Sequence, residues 1–163
     1  MKEQDLFQLS ASLELGAAQK EDSSKSMALG VHRKFEGLCD DEPNHSRQQR
    51  LHAGVHLIIE LFGGEHLDSI DTVDKSFRAA VKACDATLLH IHLHRFEPHG
   101  VTGVAVLAES HITVHTWPER GYAAFDVFMC GDARPWRAVD VFREFFSPES
   151  IEVSELLRGR KVY

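Results

Sequence analysis

In the stretch ATLLHIHLHRF, residues 86–96, two kinds of position alternate. Thr87, Leu89, Ile91 and Leu93 point one way, and His90, His92, His94 and Phe96 the other. A period of two predicts a strand with one face on a core. Upstream, GVHLIIELF (54–62) is apolar nearly throughout and predicts a strand covered on both faces. GGEHLDS supplies a turn. Ile70, Val73, Phe77, Ala80, Val81 and Cys84 then recur at three- and four-residue steps, predicting an amphipathic helix that starts near Ser69 or Asp71. Pro98 and Gly100 end the alternating strand. GVAVLAESHITVHTW (103–117) reads as a strand, a break at Glu109–Ser110, and a continuation. In the continuation His111, Thr113, His115 and Trp117 share a face, opposite Ile112 and Val114. After PERG, YAAFDVFMC (122–130) is another strand, with Ala124, Asp126, Phe128 and Cys130 on one face. A helix from about Pro135 carries Trp136, Val139, Phe142, Phe145 and Phe146 on its inner stripe, and IEVSELL closes as a short strand.

Strand, helix, several strands, helix, strand predicts an α+β fold: a two-layer sandwich with a mainly antiparallel sheet and two helices on one face. The other face then bears His90, His92, His94, Phe96, His115, Trp117 and Cys130, a surface that a ligand or partner should cover. Residues 1–50 are polar and without sustained period, as in QKEDSSKS and CDDEPNHSRQQR, and read as an appended, partly ordered arm. Residues 51–163 form the single domain expected of a chain of 163 residues.

Hydrophobic residues at 43% and charged residues at 26% indicate a globular protein. No apolar run reaches the length of a membrane span, and the amino terminus has no h-region, so the expected compartment is the cytoplasm. A net charge of −7 argues against gripping a nucleic-acid backbone. Cys39, Cys84 and Cys130 stand far apart with no CxxC pair, which argues against a zinc knuckle or disulfide framework. The three alternating histidines have permissive spacing for a metal, but no carboxylate or thiolate completes a shell, so no metal site is expected. Glu109, Ser110, His111 and His115 offer a serine and imidazoles, yet the nucleophile elbow of a hydrolase is missing. Such a serine has a further chemistry open to it. Its hydroxyl can attack the preceding carbonyl, and elimination from the resulting ester leaves a pyruvoyl group and a cut chain.

The run GVTGVAVLAESHITVHTWPERGYAAFDVFMCG (100–131) closely resembles the bacterial and archaeal S-adenosylmethionine decarboxylases, pyruvoyl enzymes that supply aminopropyl groups for spermidine. HLIIELFGG, HLHRFEPHGVTG and SIEVSELLRG extend the resemblance to about residues 52–160. It implies self-cleavage between Glu109 and Ser110, with Ser110 becoming the pyruvoyl cofactor that binds substrate as a Schiff base. His115 matches the processing histidine. Cys130 matches the proton donor, whose thiol, with a reference pKa of ~8.5, can deliver a proton near neutrality. Phe96 and Trp117 match rings that stack on adenine and favour the sulfonium by ~0.5–2 kcal/mol of cation–π attraction. Glu119 matches the residue accepting hydrogen bonds from ribose. Glu60, an acid within an apolar run, is a further substrate-positioning candidate. Thr102 stands where the family usually has serine, keeping the hydroxyl and adding a methyl expected to slow processing. The resemblance also implies a homodimer of cleaved protomers with sites shared across the interface. Two other readings stay open: a pyruvoyl-dependent arginine or ornithine decarboxylase on the same scaffold, and an uncleaved, non-catalytic regulatory homologue.

Overall fold

The computed structural model describes residues 31–35 and 52–162, and the alternation in the sequence lands on one antiparallel sheet. In chain order the elements are β1 (Val31–Phe35), β2 (Gly54–Phe62), α1 (Ile70–Ala83), β3 (Leu88–Arg95) and β4 (Val101–Leu107). There follow β5 (Ser110–Trp117), a 3₁₀ turn (Pro118–Arg120), β6 (Tyr122–Cys130), α2 (Arg137–Phe146) and β7 (Ser150–Arg158). The strands lie in the order β1-β7-β2-β6-β5-β4-β3. The rest of the 1–50 arm lies outside the described residues. Within it β1, which the polar sequence did not announce, adds an edge strand paired to β7.

Period two decides the layers. Val55, Leu57, Ile59 and Leu61 of β2, Ile112 and Val114 of β5, and Ala123, Phe125, Val127 and Met129 of β6 are buried in one cluster with both helices. α1 contributes Val73, Phe77, Ala80 and Val81 to it, and α2 contributes Ala138, Val139, Phe142 and Phe146. The Phe142 ring stacks on Phe125 at 4.2 Å, and each such phenylalanine adds about 1.5–3 kcal/mol by leaving water. Ser69 caps α1, accepting from the Thr72 N–H at 3.1 Å, and Cys84 at its far end is wholly buried, as the helical spacing requires. The expected α+β sandwich is therefore what the chain builds. Among the described residues no helix is long and apolar enough to cross a membrane.

Two local readings need correction. β2 is covered on one face only, with His56, Ile58 and Glu60 half-buried on the open face. In β3 the register with β4 shifts between Leu88 and His90. This bulge turns Leu89 out to 63% exposure, and Leu88, Ile91 and Leu93 pack on the core.

Candidate active site

The stretch LAES is a hairpin end. Leu107 pairs with Ser110, so Ala108 and Glu109 form a two-residue turn and the chain reverses direction instead of continuing through a break in one strand. Ser110 opens β5 with φ 143°, a conformation that side chains other than glycine's rarely adopt. The Glu109 carbonyl accepts the Cys130 N–H at 3.0 Å. On the other flank the Thr87 N–H donates to Glu109 Oε2 at 2.8 Å, and the Ala108 N–H donates to the Thr87 carbonyl at 3.0 Å. Cys130, a free and half-buried cysteine at the end of β6, thus shares this end of the sheet with Glu109 and Ser110.

The remaining sequence candidates gather elsewhere. Thr102 on β4 faces His115 on β5, with 2.8 Å between the hydroxyl and Nδ1. Trp117, 41% exposed, packs against Tyr122 at 5.1 Å and His115 at 6.4 Å. Glu119 is exposed in the turn that follows. Phe96, 48% exposed, hangs on the β3–β4 turn, and a Cβ placed on Gly100 would meet both its ring and Pro118 at 3.9 Å. Glu60 accepts the Tyr122 hydroxyl; burial and this carboxylate push the phenol up to about 12. Ser110 and His115 lie on one strand five residues apart, about 17 Å at ~3.3 Å per residue. The chain therefore places these groups on one strand but at separate ends of it.

Between the two ends runs a polar chain that the sequence reading did not single out. Arg158 on β7 donates to His56 Nδ1 at 3.0 Å. Because guanidinium only donates, Nδ1 is the acceptor, and His56 Nε2 carries the hydrogen given to Asp126 at 3.0 Å. Thr113 donates to the same carboxylate at 3.3 Å. His111 lies beyond the Phe128 ring, 6.4 Å from the His56 centroid. Burial, first, and then His56 hold its imidazole below the ordinary histidine range. The signal for His56 and Tyr122 was present as parity: each holds an open-face position on a strand whose alternate residues are buried.

A family model described as S-adenosylmethionine decarboxylase matches residues 55–159. An S-adenosylmethionine decarboxylase proenzyme of Methanococcus vannielii is 52% identical over 109 residues, 65% of this chain and 89% of that protein. One of Thermomicrobium roseum is 47% identical over 108 residues, 65% of this chain and 93% of that protein. The crystal structure of the adenosylmethionine decarboxylase from Aquifex aeolicus superposes with a TM-score of 0.61 at 35% identity, covering 66% of this chain and 92% of that one. The family match spans well over half of the sequence and takes in both ends of the open sheet face, so the chain belongs to the S-adenosylmethionine decarboxylase family.

Proposed function

We propose that the chain is a self-processing decarboxylase that converts S-adenosylmethionine to its decarboxylated form, with a pyruvoyl cofactor made from Ser110. Residues 51–163 are its catalytic domain and residues 1–50 an appended arm. The observation that carries this reading is the hairpin end: a serine at φ 143° directly follows a carbonyl that already accepts the Cys130 N–H at 3.0 Å. These residues fit the cofactor, because a hydroxyl, a polarised preceding carbonyl and a free thiol stand together there. A pyruvoyl group supplies a ketone that takes up the substrate amine and draws electrons from the bond to the carboxylate. Cys130 then gives a proton to the carbon that carbon dioxide leaves. Phe96 and Trp117 offer ring faces to adenine and the sulfonium. Glu119 accepts from the ribose hydroxyls. Glu60 acts through Tyr122, whose hydroxyl it holds.

His115, oriented by Thr102, serves the processing step. Its distance along β5 from Ser110 supports a homodimer. A second copy laid antiparallel on the open face brings one protomer's Thr102–His115 end to the other's Ser110–Cys130 end, and covers Trp117. Mass spectrometry of the purified protein should give two fragments, residues 1–109 and a remainder whose first residue is pyruvate. The cut protein should release carbon dioxide from carboxyl-labelled S-adenosylmethionine. A single uncut chain with Ser110 unaltered overturns the reading.

A further inference from the structure

Two-residue hairpin turns of the favoured types need positive φ within the turn, which is why Asn-Gly and Asp-Gly dominate them. Ala108 and Glu109 have no such φ, and the positive value falls on Ser110 instead. The turn chemistry alone does not account for this hairpin, and departures of this kind concentrate at functional sites. What holds the turn is a set of bonds from both flanks. Thr87 grips Ala108 and the Glu109 carboxylate from the β3 side, and Cys130 grips the Glu109 carbonyl from β6. Resting on the self-cleavage reading, we propose that the Glu109 side chain is a positioning residue for the chain's own scission. Its carboxylate, anchored on the Thr87 N–H, keeps the scissile carbonyl aimed at the Cys130 N–H while Ser110 stays in its strained conformation.

The chemistry locates where this matters. In the first step Ser110 Oγ bonds to the Glu109 carbonyl carbon, the carbon–nitrogen bond breaks, and the hydroxyl proton ends on the freed Ser110 nitrogen, leaving an ester. Loss of the Ser110 Cα proton then expels Glu109 as a carboxylate. The dehydroalanine left behind takes up one water and releases ammonia to give the pyruvoyl group. Negative charge gathers on the Glu109 carbonyl oxygen as the hydroxyl adds in the first step and again as the carboxylate leaves in the second, but only the first step needs that carbonyl held in a fixed orientation toward Ser110 Oγ beside a fixed N–H donor. The Glu109 side chain is therefore assigned to the first step, and neither to the elimination nor to decarboxylation.

The test is a time course of cleavage after cell-free synthesis of the full chain, read on gels. Glu109→Ala should slow scission about tenfold or more, as expected for loss of a charge-assisted hydrogen bond that holds a reacting group. Glu109→Gln, whose amide oxygen accepts the same N–H, should stay within about threefold. The uncut Glu109→Ala chain should resist hydroxylamine, because it still holds an amide. In a Ser110→Ala background it should melt within about 2 °C of its parent. Wild-type speed in Glu109→Ala, a hydroxylamine-labile ester accumulating in it, or a glutamine variant as slow as the alanine one overturns the assignment. If the wild type itself never cleaves, the self-processing reading falls and this inference goes with it.

Discussion

His111 follows Ser110 directly, and its imidazole is held below the ordinary histidine range by burial and by His56, with Asp126 opposing and Arg158 assisting. The sign of the resulting pH dependence is fixed. The folded state takes up this proton at lower pH than the unfolded chain, whose histidine titrates near ~6.5, so as pH falls below that value the unfolded state binds more protons and stability declines. Thermal melts of the uncleaved Ser110→Ala protein from neutral to mildly acid pH should show this loss. Adding His111→Asn should flatten the slope, and an unchanged slope would assign the titration to another group. The parity of β5 made His111 legible as an open-face residue. Its depressed basicity was not legible, since it arises first from burial in the folded sheet and then from His56 and Arg158 on strands far away in sequence.

At the scale of elements, the β3–β4 turn that bears Phe96 is secured from a distance. Asp68, in the loop before α1, accepts the Gly100 N–H at 2.8 Å and pairs with Arg95. The Gly100 bond, followed by Arg95, keeps its carboxyl below the usual carboxylate range. Beneath it Thr116 accepts the Val101 N–H at 2.7 Å and donates to the Leu67 carbonyl at 2.8 Å. Asp68→Ala should therefore raise the KM for S-adenosylmethionine severalfold while leaving self-cleavage at its normal rate, and Asp68→Asn should fall between. Equal KM values would remove the turn from substrate binding. The same elements show where sequence reading succeeds and where it stops. Period two placed His115, Trp117 and Cys130 on one face, because side-chain alternation is local. It put Leu89 inward because a bulge leaves no mark on the hydrophobic pattern. It took the reversal at Ala108–Glu109 for a break within one strand, since neither residue is a turn former and the turn is made by Thr87 and Cys130.

For the whole molecule, the proposed dimer with shared sites predicts that two dead variants can rescue each other. Cys130→Ala lacks the proposed proton donor and His115→Ala the proposed processing imidazole. In a hybrid dimer, one site combines the intact Ser110 and Cys130 of one chain with the intact His115 of the other. Random pairing after co-expression should return about one quarter of wild-type decarboxylation, because half the dimers are hybrids and each has one whole site. No recovery would place each site within one protomer. The strand order β1-β7-β2-β6-β5-β4-β3 has one more consequence. With the proposed cut after residue 109, β1, β2, β3 and β4 belong to one fragment and β5, β6 and β7 to the other. The β1/β7, β7/β2, β2/β6 and β5/β4 ladders then all join separate polypeptides. The fragments are woven through each other, so neither can leave without tearing the whole sheet. Reassembly from denaturant becomes a meeting of two molecules, slower at greater dilution, whereas the precursor closes the same weave alone.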